Sequence, residues 1–122
     1  MKYKLSITII VTVVIITIAI VEGVFIKKTF ESLNDKLGVI MQQEEYSLAD
    51  VEEINYWWKR RSEVLEISVS VVQLNEMSVT FGELIGAIEN EDYDSASALL
   101  NRIYQYSTHI CDMYMFKINN IF

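Results

Sequence analysis

The chain contains no proline, four glycines, one cysteine and one histidine among its 122 residues. Proline and glycine mark turns, so their scarcity argues against a turn-rich β-protein and favours long helices. A single cysteine excludes an intramolecular disulfide. One histidine and one cysteine are too few for the usual zinc sites. We therefore expect an all-α protein without a metal, and the absence of a glycine-rich phosphate loop predicts no cofactor.

Positive charge is also scarce. The formal net charge is −7, and from Thr29 onward six basic side chains stand against sixteen acidic ones. Such a region is repelled by phosphate backbones, which argues against nucleic acid as a partner. It is also repelled by anionic lipids, so we expect the acidic part to stand off the membrane surface.

The most distinctive feature present is the uncharged apolar run Leu5–Val21. As a helix, its 17 residues span about 25 Å, near the lower limit for crossing a hydrocarbon core. The following Gly23–Ile26 would extend it. We predict a membrane anchor at residues 1–26, with membrane lipid as its partner, and an acidic helical domain at residues 27–122.

Two alternatives concern the anchor. A cleaved signal peptide requires small residues at its cleavage site, and Val21-Glu22-Gly23 matches that pattern poorly. Basic residues are nearly equal in number on the two sides of the run, so charge alone leaves the orientation open. The short basic head containing Lys2 and Lys4 is typical of a signal anchor, which places the N-terminus in the cytoplasm and the acidic domain outside it.

Four stretches repeat apolar residues at the three- and four-residue spacing of one helix face. The first continues the anchor without a breaker to about Gln43. We predict that the anchor runs directly into a small antiparallel bundle of three to four helices. The predicted core positions are Ile26, Phe30, Leu33, Leu37 and Ile40; Val51, Ile54, Trp58, Leu65, Val69 and Val72; Leu74, Met77, Phe81, Leu84 and Ile88; and Ala96, Leu99, Ile103, Ile110 and Met113.

The boundary between the second and third stretches has two interpretations. The two stripes are out of phase, so either a break falls near Gln73–Asn75 or one long helix presents two faces. A strand at Ile67–Val71 fits the alternating pattern, but no partner strand is available for it. We therefore predict helix there.

Other local signals predict turns, caps and close packing. Ser47 and Asp92 are expected to cap the second and last helices. The Gly82 and Gly86 pair is expected to allow close approach of a neighbouring helix. The last helix is predicted to fade by about Lys117 into a short tail.

The string Trp57–Arg61 is the strongest candidate for a binding patch. Aromatic rings beside cations suit an anionic or carbohydrate ligand, or a protein partner. Alternatively, the tryptophans belong to the core and its border, while the basic side chains pair with Glu53 or Glu63. The residues of this predicted patch are Trp57, Lys59, Arg60 and Arg61.

No arrangement in the sequence indicates catalysis. His109 and Cys111 are two positions apart and point to different sides of a helix, so they do not form a nucleophile and base. Asp112 is within reach of His109, a spacing that more often makes a surface hydrogen bond. The acidic turn Asn90–Asp94 lacks the glycine and glutamate of a calcium-binding EF-hand loop. We expect a protein that is not an enzyme.

The order of elements resembles a known family. An apolar N-terminus is followed by a basic pair, a tryptophan-containing helix and the string Ile88–Tyr93, and the chain ends in Asn120-Ile121-Phe122. This resembles the family called domain of unknown function 4363, small bacterial membrane-anchored proteins without an assigned activity. The resemblance covers nearly the whole chain and implies architecture and membrane location, not mechanism.

Together these features predict a single-pass membrane protein of the bacterial cell envelope. We expect a non-enzymatic docking or accessory role, with a protein partner in the envelope. The alternatives are a helical bundle that senses a small ligand near Trp57, or a secreted soluble bundle if the N-terminal segment is cleaved.

Overall fold

The computed structural model describes residues 2–121, with all side chains except those at positions 117, 118 and 121. Within this range the chain forms four α-helices and no strand, which confirms the all-α prediction. The helices are α1 (Lys2–Met41), α2 (Leu48–Leu65), α3 (Val71–Glu89) and α4 (Tyr93–Ile121).

The four helices form an antiparallel ring in which α1 contacts α2 and α4, and α3 contacts the same two helices. The Asn34 and Ser107 side chains, 2.7 Å apart, join α1 to α4. Short loops connect consecutive helices, so the chain runs up and down through the bundle. The α1–α2 and α3–α4 loops therefore lie at one end, which we call the distal end. The α2–α3 loop lies at the opposite end, called the base.

Helix α1 continues without interruption from the apolar run into the bundle. Its buried positions begin at Gly23 and recur on one face to Ile40. Before Gly23 no described residue is buried, so the first half of α1 lies outside the core.

The core is built from the stripes that periodicity predicts. Trp58 lies at its centre, with its ring 5.9 Å from that of Phe30 and 6.4 Å from that of Phe81. These contacts join α1, α2 and α3 through three aromatic side chains. The predicted positions on α1 are all buried, and so are those on α3 from Leu74 to Ile88.

The α2–α3 boundary was predicted incorrectly. Helix α2 ends at Leu65, and residues 66–70 form turns before α3 begins at Val71. The out-of-phase stripes result from this earlier break, which lets α3 start with its own rotation. Val72, predicted as core, is exposed at the start of α3, while Val69 is buried in the loop.

The α3–α4 turn ends α3 with a Schellman arrangement. The Glu91 N–H donates to the Ile88 carbonyl, and the Asp92 N–H donates to the Ala87 carbonyl. Glu91 adopts φ 56°, a left-handed conformation that glycine normally supplies. The predicted Asp92 cap is confirmed, because its Oδ1 accepts from the Ser95 N–H at 3.3 Å.

The last helix departs from prediction at both its face and its end. Leu100, which is not among the predicted core positions, is fully buried, whereas the predicted Leu99 is only half-buried. The helix does not fade at Lys117, because α4 continues to Ile121. Phe122 lies outside the described residues.

The Gly82 and Gly86 pair does not provide close packing. A Cβ atom built at either glycine meets nothing within 4 Å. Both glycines therefore lie on an open part of α3, and the expected approach of a neighbouring helix is absent here.

Candidate functional site

Trp57 lies at the border of the core, beneath two cationic side chains. The Lys36 Nζ is 5.3 Å from its ring centroid, and the Arg61 guanidinium carbon is 5.6 Å away. The Arg61 guanidinium also lies 5.7 Å from the Phe25 ring. Cations at these distances are attracted by the negative face of an aromatic ring. Trp57 therefore makes cation–π contacts with Lys36 of α1 and Arg61 of α2.

The predicted patch is only partly assembled. Trp57 and Arg61 meet, but Arg60 lies over the ring of Tyr56, 5.8 Å from its centroid. The expected pairing of these cations with Glu53 or Glu63 is absent among the described ion pairs, which join Lys27 to Glu31 and Arg102 to Glu83. Lys59 is exposed.

A groove of about 310 Å³ opens beside Trp57, between α1 and α2. Its floor is apolar, while one cation and two carboxylates stand around it. Sequence reasoning missed Lys36 because it lies on another helix, 21 positions away from Trp57. The lining residues are Lys36, Val39, Ile40, Asp50, Glu53, Ile54 and Trp57.

The distal end is strongly acidic. The Tyr46 and Tyr93 rings, 5.9 Å apart, bring its two loops together. Residues 42–47 and 89–94 contribute six carboxylates and no lysine or arginine. These acidic residues are Glu44, Glu45, Glu89, Glu91, Asp92 and Asp94. The distal end therefore has a strongly negative local charge.

The apolar half of α1 has a surface that suits lipid. Its threonine hydroxyls donate to backbone carbonyls one turn earlier, from Thr8 to Lys4, Thr12 to Thr8 and Thr17 to Val13, each at 2.8 Å. Hydroxyls satisfied within the helix need no water. Among the described helices, α1 is the one long and apolar enough to cross a membrane.

His109 and Cys111 do not form a reactive pair. His109 is exposed beside Thr108 and Asp112 in a shallow depression on α4. Cys111 is half-buried, and burial raises the pKa of its thiol, with the Asp112 and Glu31 carboxylates adding to the increase. A thiol with a raised pKa remains protonated at neutral pH and is a weak nucleophile.

No metal centre is found in the described part of the chain, where no three histidine, cysteine or acidic side chains are grouped to hold an ion. In the acidic turn, Asp92 caps α4 instead. Hydrogen bonds from the Ser95 side chain and backbone lower the pKa of the Asp92 carboxyl.

Two buried polar features inside the bundle have no sequence signature. Ser107 is fully buried and pairs with Asn34 across α1 and α4. On α2, the Trp58 Nε1 and Asn55 Oδ1 atoms are buried without a hydrogen-bond partner among the described residues. None of these four residues lines the α1–α2 groove or the depression beside His109.

The fold and surface define a class: an up-and-down four-helix bundle whose first helix extends as a long exposed apolar segment. No family model, curated protein or solved structure matches the chain.

Proposed function

We propose that the protein is a single-pass membrane protein whose helical bundle docks another protein at the cell envelope. The observation that carries this proposal is α1 itself. One unbroken helix is exposed and apolar from Leu5 to Val21 and supplies a core stripe from Ile26 to Ile40. An anchor fused rigidly to a bundle holds that bundle at a fixed height and orientation.

The docking surface in this proposal is the α1–α2 groove. It combines the apolar Val39, Trp57 and Ile54 with three charged side chains near the distal end. A mixed apolar and charged groove suits a protein segment better than a small anion. No nucleic acid is expected at such an acidic surface.

A photo-crosslinking amino acid at Val39 tests docking. The matched control is Val79 on α3, which has similar exposure and lies by the groove between α3 and α4. Crosslinking in membranes, followed by purification in mild detergent, should give a defined adduct from position 39 and much less from position 79. A protein that runs alone and forms no adduct from either position contradicts docking.

The topology in this proposal places the N-terminus in the cytoplasm and the bundle outside it. A Cys111→Ser, Asn101→Cys variant carries one exposed thiol on α4. A membrane-impermeant maleimide should label it in intact cells. Labelling only after lysis would show the opposite orientation, with the bundle in the cytoplasm. A mature protein beginning near Gly23, seen by mass spectrometry, would instead establish a secreted bundle.

A non-enzymatic role is part of the same proposal. The raised pKa of the Cys111 thiol supports it, as does the exposed position of His109, which does not pair with Cys111. The resemblance to the domain of unknown function 4363 family, with its bacterial envelope location, remains a prediction.

A second candidate is small-ligand sensing in the α1–α2 groove. The groove volume and the two cations over Trp57 favour it. Thermal-shift screening of the full chain in detergent should find ligands that raise the melting temperature, and Trp57→Ala should abolish the shift. A shift that survives Trp57→Ala would place the ligand elsewhere.

A further inference from the structure

The base of the bundle carries exposed apolar side chains on the α2–α3 loop and on parts of α2, α3 and α4. Ile67, in the α2–α3 loop, is 81% exposed. Large apolar side chains are also exposed at the end of α2, at the start of α3 and near the end of α4. These are Val64, Val71, Val72 and Phe116. A clustered apolar surface of this kind marks an interaction site.

Contacts with α1 show where Ile67 lies along the axis of that helix. A groove of about 270 Å³ at the base is lined by Val21, Glu22, Phe25 and Ile26 from α1, and by Val64, Leu65, Ile67 and Ser68 across it. Ile67 therefore lies at the level of Val21–Ile26, where the apolar run of α1 ends and the core stripe begins.

The fourth helix reaches the same level. The Tyr114 hydroxyl is hydrogen-bonded to the backbone of Ser70, and the Gln73 amide lies 3.8 Å from the Met113 sulfur. These contacts join α4 to the start of α3. Phe116 follows within one turn, and α4 continues to Ile121, about 10 Å beyond Tyr114 along the helix axis.

We infer that the base of the bundle inserts into the lipid interface of the membrane that α1 crosses. This inference rests on the proposed membrane span. The apolar run alone covers about 25 Å, shorter than a hydrocarbon core of about 30 Å. If the base inserts, Ile67 and Val64 lie in the part of the hydrocarbon core that the apolar run is too short to span. Tyr114, half-buried where α4 meets the start of α3, has the amphipathic character of interfacial aromatic residues.

The charge distribution also favours lipid as the partner of the base. The described side chains around this level are of mixed charge, with the cations Lys27, Lys28 and Arg61 beside the acids Glu22, Glu31, Glu63, Glu66 and Asp112. The presence of cations contrasts with the wholly acidic distal end. We therefore depart from the expectation that the whole acidic part stands off the membrane, and keep that expectation for the distal end alone. A base with local cations and exposed apolar groups is suited to lipid.

Depth measurement with nitroxide labels tests the inference. Single cysteines replace Ile67, Ile15 or Val39 in the full-length Cys111→Ser protein, reconstituted in phosphatidylcholine and phosphatidylglycerol vesicles. All three side chains are exposed, so the labels leave the core intact. The ratio of collisions with oxygen to collisions with a water-soluble nickel chelate reports depth. We expect Ile67 to give a ratio several-fold above that at Val39, approaching that at Ile15.

The outcomes separate the two proposals. A deep Ile15 with Ile67 as chelate-accessible as Val39 overturns the inference and leaves the membrane span intact. A chelate-accessible Ile15 overturns the membrane span, and the inference with it. If the Ile67→Cys variant fails to fold, Val64→Cys reports the same level from the end of α2.

Discussion

The two halves of α1 share one helix and differ in what surrounds them. In Leu5–Val21 apolar side chains point in every direction and none is buried. In Gly23–Ile40 burial recurs on one face only, with charged side chains elsewhere. The comparison shows that all-round apolar character suits a lipid environment, whereas a single stripe suits a protein core. The break between these two patterns falls at Glu22 and Gly23, without a break in the backbone.

The largest expected contrast concerns stability. Leu33 is 0% exposed and Leu5 is 66% exposed on the same helix. Leu33→Ala should lower the free energy of unfolding of the bundle by about 2–5 kcal/mol, because it opens a cavity. Leu5→Ala, the matched control, should change it little. Near-ultraviolet circular dichroism during denaturant titration in detergent measures both. Equal losses would show that the first half also packs in the bundle.

The second contrast concerns membrane retention. Ile15 is 61% exposed and Val39 is 65% exposed, but only Ile15 lies in the apolar run. A lysine at the centre of a membrane helix is unfavourable by about 3 kcal/mol. Ile15→Lys should therefore increase release into the soluble fraction on alkaline carbonate extraction, and Val39→Lys should not. Equal release from both variants would contradict the difference between the halves.

The Asn34–Ser107 hydrogen bond ties the second half of α1 to α4. Ser107→Ala should lower the free energy of unfolding by about 1–3 kcal/mol, because the Asn34 side chain loses its buried partner. Thr108→Ala, one position along α4, is the control, since the Thr108 hydroxyl donates to the carbonyl of Tyr104 on its own helix. A double-mutant cycle with Asn34→Ala that gives no coupling energy would refute the interaction.

The open face of α3 around Gly82 predicts a small gain in stability on substitution by alanine. Gly82→Ala should raise the free energy of unfolding by about 0.5–1 kcal/mol, because alanine favours helix and meets no atom there. A loss of stability would reveal a close contact at this face.

The smallest expected effect is a pH dependence at Asp92. Its folded pKa lies below the ordinary aspartate value of about 3.9. Its ionisation therefore stabilises the fold above that value, and this contribution is lost as the pH falls through the lowered folded pKa. Asp92→Asn should show a shallower loss of stability below pH 4 in acid titrations. Identical curves for the two proteins would contradict the role of the cap.

The sequence predicts the helices and most of the core because each buried stripe is local and periodic. Phe30, Trp58 and Phe81 each follow from spacing alone. The end of α2 at Leu65 does not, because Ile67 and Val71 look like core residues while the turn leaves them exposed. The meeting of Lys36 with Trp57 depends on the packing of α1 against α2, which no local pattern contains. The base, likewise, forms only when the ends of α2 and α4, the start of α3 and the α2–α3 loop come together.

Hydrogen exchange of the full-length protein in lipid nanodiscs tests most directly whether anchor and bundle share one helix. We predict slow amide exchange continuously through residues 21–26, because their backbone hydrogen bonds belong to α1. Fast exchange confined to Glu22–Val24, between two protected halves, would show a flexible joint and contradict it.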